Sequence, residues 1–152
     1  MAELTFTHYT DKPLELDLTR TYEQSTKAMK PSGLWVSVDG EMDWPAWCLG
    51  EDFHTTSLAH RTALQLAPGH NVLVLTTPEE LDSFTRKYGG TLSRDFLYID
   101  WPQVAQDYDG LIIAPYQWER RYDLSWYYGW DCASGCVWNL TAISVPVHEE
   151  AS

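Results

Sequence analysis

Residues 71–88 read NVLVLTTPEELDSFTRKY, and this stretch decides the fold class. Residues 71–76 form a nearly continuous apolar and β-branched run, which is typical of a buried strand. Thr77 is a natural helix N-cap, Pro78 suits the first helical position, and the two acidic residues that follow favour the positive end of a helix dipole. Apolar side chains then recur at helical spacing up to the glycine pair 89–90. A strand that leads directly into a helix predicts a domain containing both elements.

The segments on either side of this unit carry the signals of further strands. Alternating apolar and polar residues predict strands at residues 4–10 and 33–38, the second closed by an Asp-Gly turn pair. Residues 57–66, 111–114 and 136–145 are further strand candidates because of their apolar and β-branched content. Strands therefore outnumber helices in the predicted order.

The remaining helical signals are short. Residues 100–108 (DWPQVAQDY) predict a second helix with Asp100 as its N-cap. Residues 22–29 are ambiguous, and residues 43–53 are expected to pack as a short helix or turn. We expect one α+β domain over residues 1–152, with a mostly antiparallel central sheet, or two packed sheets, and two or three short helices.

Charge and composition exclude several classes of protein. The 152 residues carry 22 acidic and ten basic side chains, a net charge of −12, so a general binder of the nucleic-acid backbone is not expected. No apolar run approaches the ~20 residues that span a bilayer, and the N-terminus does not resemble a signal peptide. Three cysteines do not suit a disulfide framework. We therefore expect a cytoplasmic protein without a membrane partner.

The familiar motifs of metal, nucleophile and phosphate sites are missing from the sequence. Cys132 and Cys136 are separated by three residues, without the second ligand pair of a structural zinc site, so buried thiols are favoured and no metal site is predicted. Ser134 does not lie in a G-x-S-x-G elbow. Neither glycine-rich phosphate-binding motif occurs.

Chemistry-bearing residues are instead found at the ends of the first two strands. His8 ends the first strand, with Tyr9 and Thr10 beside it. Trp35 and Ser37 are two residues apart on the second strand, so their side chains point to the same face. An imidazole, hydroxyls and rings on neighbouring strands are the residue types of a ligand pocket.

An aromatic-rich segment, residues 126–139 (WYYGWDCASGCVWN), admits two interpretations. It forms the far wall of a pocket that also includes Trp35, Trp44 and Trp47, or it only packs against the sheet. The sequence does not decide between these two interpretations.

The order of these residues resembles the ADP-ribosyltransferase family. Members carry a His or Arg on the first core strand, hydroxyl or aromatic residues on the second, and a later glutamate, sometimes within Gln-x-Glu. Here the corresponding residues are His8, then Trp35 and Ser37, then Glu119 in Gln-Trp-Glu.

The resemblance implies a pocket for NAD, used as a substrate. His8 would hold the ribose, Ser37 would support that site, and Trp35 would stack on the nicotinamide. Glu119 would polarise a ribose hydroxyl or the acceptor, with Asp109 as the alternative acid. The remaining residues assigned to the NAD-binding pocket are Tyr9, Thr10, Trp44 and Trp47.

The sequence is therefore compatible with three functions. The first is an enzyme that moves ADP-ribose from NAD to a macromolecule, a protein or a nucleic acid, with a protein favoured by the charge. It would place His8, Trp35, Ser37 and an acid around one concave pocket. A non-catalytic acidic inhibitor of a basic partner, such as a nucleic-acid enzyme, would show a flat acidic face with aromatics at its centre. A small-molecule-binding module without turnover would keep the pocket and lack the acid.

Overall fold

The computed structural model shows nine strands and two α-helices whose bounds lie in the part of the chain that it describes, and residues 44–45 and 48 are helical as well. The described residues are 6–10, 19–25, 30–40, 44–45, 48, 60–93, 96–120, 124, 126–127, 130 and 132–144. Their elements are, in chain order, β1 (Phe6–Thr10), β2 (Leu34–Val38), β3 (His60–Leu66), β4 (Val72–Leu75), α1 (Pro78–Tyr88), β5 (Gly89–Ser93), β6 (Phe96–Ile99), α2 (Trp101–Asp107), β7 (Gly110–Ile113), β8 (Ser134–Val137) and β9 (Ile143–Ser144).

One curled sheet contains seven of these strands, in the order β4-β7-β8-β2-β1-β3-β9. The β4–β7 pair is parallel and the other pairs are antiparallel. Strands β5 and β6 form a separate two-stranded sheet. The prediction of an α+β domain with a mostly antiparallel sheet is confirmed, and of its two alternatives the single main sheet is the one observed. None of the described helices has the length and apolar character needed to cross a bilayer.

Helix α1 begins where the sequence predicts, because its cap is local. The Thr77 hydroxyl accepts a hydrogen bond from the Glu80 backbone N–H at 3.1 Å. The Glu80 carboxylate in turn accepts from the Thr76 hydroxyl at 2.7 Å. The Thr76 hydroxyl lowers the pKa of Glu80, since it stabilises the charged carboxylate. The start of the helix is therefore satisfied by side chains from its own first turn and from the residues just before it.

Aromatic rings fill the core between the helices and the later part of the chain. Phe84 of α1 packs 5.6 Å from Trp126 and 6.2 Å from Trp101, measured between ring centroids. The Trp126 indole N–H donates to the Thr85 hydroxyl at 3.1 Å, and the Trp138 indole N–H donates to the Tyr108 carbonyl at 2.8 Å. These tryptophans combine burial with satisfied donors, as stable core indoles do.

Strands β7 and β8 approach each other so closely that a side chain is excluded at Gly135. A Cβ built there would lie 2.5 Å from Ile112 Cγ1 and 2.9 Å from the Leu111 carbonyl oxygen. The glycine is needed because the two strands approach too closely for a side chain at this position.

Two details of the predicted element order are wrong, and one segment that the sequence leaves ambiguous is decided in part. The strand expected at 136–145 is interrupted: β8 ends at Val137, and a 3-10 turn at Leu140–Ala142 precedes β9. The Asn139 side chain caps that turn by accepting from the Thr141 backbone N–H, and this local bond competes with continued pairing. Residues 22–25 are not helical, and the β5–β6 hairpin has no counterpart in the prediction.

Candidate functional site

The candidate site lies where β1 separates from β2. Strand β1 pairs with β3 through all five of its residues, but its register with β2 covers Phe6↔Val38 and Thr7↔Ser37. Beyond Thr7 the two strands diverge, and the His8 ring spans the opening: its Nδ1 lies 2.5 Å from the Trp35 carbonyl oxygen. A side chain thus replaces a strand partner, and the gap becomes the mouth of a pocket.

The contact with Trp35 determines which ring nitrogen of His8 carries a hydrogen towards the backbone. A carbonyl oxygen only accepts hydrogen bonds, so Nδ1 must carry the hydrogen and donate it. In the neutral ring, Nε2 then holds a lone pair and can accept a hydrogen bond from a hydroxyl. His8 therefore offers an oriented acceptor, held in place by the backbone of β2.

The pocket has a volume of about 450 Å³, within the range of small-molecule sites. Five of the seven residues predicted to bind the cofactor line it. They are His8, Tyr9, Trp35, Ser37 and Trp44. Side chains chosen from separate segments of the sequence thus meet at one concavity.

Ser37 and Ser134 have opposite hydrogen-bonding capacity in this pocket. The Ser37 oxygen accepts from the Trp44 backbone N–H at 2.9 Å, so its hydroxyl hydrogen can donate to another group. The Ser134 hydroxyl donates to the Cys132 carbonyl at 3.0 Å, so its oxygen can only accept. Both serines line the pocket, on the adjacent strands β2 and β8.

The aromatic-rich segment both lines the pocket and packs in the core. Trp130, Cys132 and Ser134 line the pocket. Trp126 and Tyr127 are fully buried in the core. Trp130 joins the two groups, since its ring lies 4.8 Å from Trp35 with an interplanar angle of 68°. Some residues of this segment therefore form a wall of the pocket, and others pack in the core.

Lys30 supplies a positive charge at the pocket. Its ammonium group lies 5.4 Å from the centre of the Trp35 ring, in a cation–π contact. A cation in a pocket of so acidic a chain favours a ligand with a negative group. Lys30 has no signal in the sequence, because this residue lies just before the Pro31 break and belongs to no motif.

Neither of the two predicted acids lines this pocket. The Asp109 carboxylate accepts from the Asn71 backbone N–H at 3.0 Å and from the Asn139 side-chain amide at 2.9 Å, and so holds the loops around β4, β7 and β8 together. Glu119 is exposed in the 3-10 turn Trp118–Arg120. Its neighbour Arg120 forms a bidentate pair with Asp82.

Among the described residues that line the pocket there is no carboxylate. One carboxylate that contacts a lining residue is that of Asp39, which accepts from the Thr7 hydroxyl at 2.8 Å and is itself exposed. The backbone of Thr10 pairs with His60 of β3. Trp47, the remaining predicted residue, lies outside the described part of the chain.

Several lining residues were not predicted as site residues, and only some had a signal in the sequence. Cys132 and Ser134 are two residues apart in the aromatic-rich segment, which is the spacing of one strand face. Trp130 belongs to the same segment. Thr7 alternates with the apolar residues of β1 and resembles any solvent-facing strand residue.

Metal ligands do not cluster in the described ranges: no three His, Cys, Asp or Glu side chains there could hold an ion. The Cys136 thiol is fully buried, and burial raises its pKa well above the usual range. It therefore stays protonated and unreactive at neutral pH.

No protein-family model, curated protein or solved structure matches the chain significantly. The function must accordingly be argued from the chemistry of the site.

Proposed function

We propose that the pocket between β1 and β2 binds NAD and that the chain is an ADP-ribosyltransferase-like enzyme. The observation that supports the proposal is convergence. His8, Trp35 and Ser37, which the family resemblance assigns to the dinucleotide, line one pocket of ligand size. The three residues were selected for their chemistry and come from two strands, and their meeting at one concavity supports a ligand site.

The chemical groups of the pocket are complementary to those of the dinucleotide. The indoles of Trp35 and Trp44 can hold a flat nicotinamide ring. The Nε2 of neutral His8 can accept from a ribose hydroxyl, and the Ser37 hydroxyl can donate to an acceptor. Lys30 can pair with a phosphate of the pyrophosphate. The nicotinamide ring, a ribose hydroxyl and a phosphate of the ligand thus each have a partner of the right type.

The transfer itself is a substitution at C1′ of the nicotinamide ribose. The bond from C1′ to the nicotinamide nitrogen breaks, and its electron pair leaves with neutral nicotinamide. A nucleophilic atom of the acceptor forms the new bond to C1′ and loses its proton to a base. Positive charge develops on the ribose during this step, which a nearby carboxylate would stabilise. A protein acceptor is favoured, since the net charge of the chain opposes nucleic acid.

A second candidate function is binding without turnover. It is favoured by the absence of a carboxylate among the described lining residues. The acidic-inhibitor hypothesis remains a prediction; its anchor would be Trp118, whose side chain is 57% exposed next to Glu119. The two pocket functions share a ligand and differ in whether nicotinamide is released.

The binding test is a melting-temperature shift with NAD. At a hundredfold excess over the dissociation constant, a ligand specific for the folded state stabilises it by about 2.7 kcal/mol, a shift of roughly 5–10 °C for a chain of this size. We expect the shift in the wild type and in His70→Ala, a control outside the pocket. We expect it to disappear in His8→Ala and to shrink in Lys30→Gln. No shift of the wild type at millimolar NAD would contradict the proposal.

Turnover is tested on the same proteins by nicotinamide release. If the chain is a transferase, nicotinamide release is expected from the wild type. Asp39→Asn, which removes the carboxylate next to Thr7, should lower that release at least tenfold with the NAD shift retained. Glu119→Gln, at an exposed position outside the pocket, should leave the release unchanged. Binding without any nicotinamide release, with candidate acceptor proteins present, would support the second candidate function and contradict the transferase.

A further inference from the structure

One buried indole in this protein has no hydrogen-bond partner. Trp126 donates to Thr85 and Trp138 donates to Tyr108. The Nε1 of Trp130 is also buried, with the residue 1% exposed, yet nothing accepts its hydrogen. It is the single buried side-chain nitrogen or oxygen without a partner in the described part of the chain.

An unpaired buried donor is costly, because the group has lost its bonds to water without gaining a replacement. Native proteins retain few such groups, and one that persists calls for an explanation. A contact of the N–H with an aromatic face is a weak substitute. The position of Trp130 offers an explanation, since it lines the pocket that holds His8 and Ser37.

We propose that the Trp130 indole N–H is a recognition group that donates to a carbonyl oxygen of the ligand. The identity of that ligand rests on the proposed function, in which the carbonyl is that of the nicotinamide carboxamide. The bond would form when the ligand binds and would compensate the desolvation that the free protein tolerates. Trp130 is then a specificity-determining residue.

The pocket provides a complementary acceptor for the rest of the same group. A primary carboxamide has one oxygen that accepts and an NH₂ that donates. The Ser134 hydroxyl hydrogen is used by the Cys132 carbonyl, so its oxygen is left to accept. A donor at Trp130 and an acceptor at Ser134 match an amide and do not match a carboxylate, which only accepts.

The ring of Trp35 packs against the ring of Trp130. The Nε1 atom has no accessible surface, and Trp35, whose centroid is 4.8 Å away, is half-buried. A flat ligand ring can reach the indole if Trp35 shifts, and Lys30 rests on the Trp35 ring. We expect the Trp35 indole to respond to the same ligand as Trp130.

The test follows the indole N–H signals of the ¹⁵N-labelled full chain by NMR during titration with NAD and, separately, with nicotinamide. The expected result is a downfield shift of the assigned Trp130 signal with both ligands. 3-Methylpyridine, which has the ring without the amide, should leave that signal in place. This measurement uses the wild type, so it does not depend on the folding of a variant.

A pair of variants provides the matched comparison. Trp130→Phe keeps a ring and removes the donor, and is expected to weaken nicotinamide-containing ligands roughly tenfold, the size of one hydrogen bond, with 3-methylpyridine unaffected. Trp126→Phe removes a donor that is already paired outside the pocket, and should leave ligand affinity unchanged.

The outcomes separate this inference from the proposed function. If NAD shifts the signals of Trp35 and Trp44 but not that of Trp130, and Trp130→Phe binds as the wild type does, the NAD pocket stands and the role of Trp130 is overturned. If NAD moves no pocket signal, the proposed function fails. In that case the titration with nicotinamide tests the role of Trp130 separately. A downfield shift of the Trp130 N–H signal supports its role as a donor, and the absence of a shift overturns it.

Discussion

Single side chains determine the shape of the pocket, and His8 does so by occupying the place of a strand partner. Its ring bonds to the Trp35 carbonyl where β1 and β2 no longer pair. The carbonyl is thereby satisfied without closing the sheet, as buried backbone acceptors must be. An imidazole suits this position because one nitrogen can bond to the backbone while the other is left to accept a further hydrogen bond.

Gly135 is a residue at which a single added methyl group should be harmful. In Gly135→Ala the new Cβ would lie 2.5 Å from Ile112 Cγ1 and 2.9 Å from the Leu111 carbonyl oxygen. Separating β7 from β8 to make room is expected to lower the free energy of unfolding by about 1–3 kcal/mol. Urea denaturation measures this change.

The double variant Gly135→Ala with Ile112→Ala checks the cause. It relieves the side-chain contact but leaves the clash with the Leu111 backbone. We therefore expect Gly135→Ala to lower the free energy of unfolding by less in the Ile112→Ala background than in the wild type, though still measurably. Full tolerance of the alanine in the single variant would contradict the close approach of the two strands.

Sequence reasoning identified residues of the pocket by their chemistry but could not supply their geometry. Trp35 and Ser37 were paired by strand periodicity, a local rule that needs no knowledge of neighbouring strands. Lys30 and Trp130 were not identified, because their role depends on which strand lies beside β2. Asp109 appeared as an alternative acid, yet its position before β7 makes it a partner of Asn71 and Asn139.

At the scale of elements, α1 owes its start to Thr77. The Thr77→Ala variant removes the hydroxyl that accepts from the Glu80 N–H and is expected to lower the free energy of unfolding by about 1 kcal/mol. Ser83→Ala, in an exposed position of the same helix, is the control and should change stability little. Chemical denaturation of both variants makes the comparison, and equal stabilities would argue against the cap.

Elements with local signals were predicted well, and elements that depend on distant partners were not. Helices α1 and α2 carry their own caps, at Thr77 and Asp100. The break between β8 and β9 was missed because the Asn139 side chain redirects a segment whose apolar content suggests one strand. The divergence of β1 from β2 has no sequence signal, since register is a property of the pair.

At the scale of the whole molecule, buried acidic hydrogens should make the fold sensitive to alkali. Burial raises the pKa of the Tyr127 hydroxyl and of the Cys136 thiol well above their ordinary values. The folded state then keeps protons that the unfolded state releases. The contribution of these two protons to the free energy of unfolding is therefore fully present below the pKa values of the unfolded chain, about 8.5 for Cys and about 10 for Tyr. It falls as the pH rises past those values.

The measurement is the urea midpoint between pH 7 and pH 11. Each group contributes at most about 1.4 kcal/mol per pH unit once its unfolded form ionises. Tyr127→Phe should reduce the slope above pH 10, while lowering stability at pH 7 because the Gln117 N–H loses its acceptor. A constant m-value across the series confirms that one unfolding transition is compared, and a flat midpoint up to pH 11 would refute the prediction.

The strand order has a consequence for how the protein is made. The pocket is walled by β1 and β2 and by β8, which comes much later in the sequence and pairs directly with β2. A chain emerging from the ribosome has its first two strands long before the one that completes the pocket. The pocket can therefore assemble only after β8 has been made, and until then the open edge of β2 is available to wrong partners.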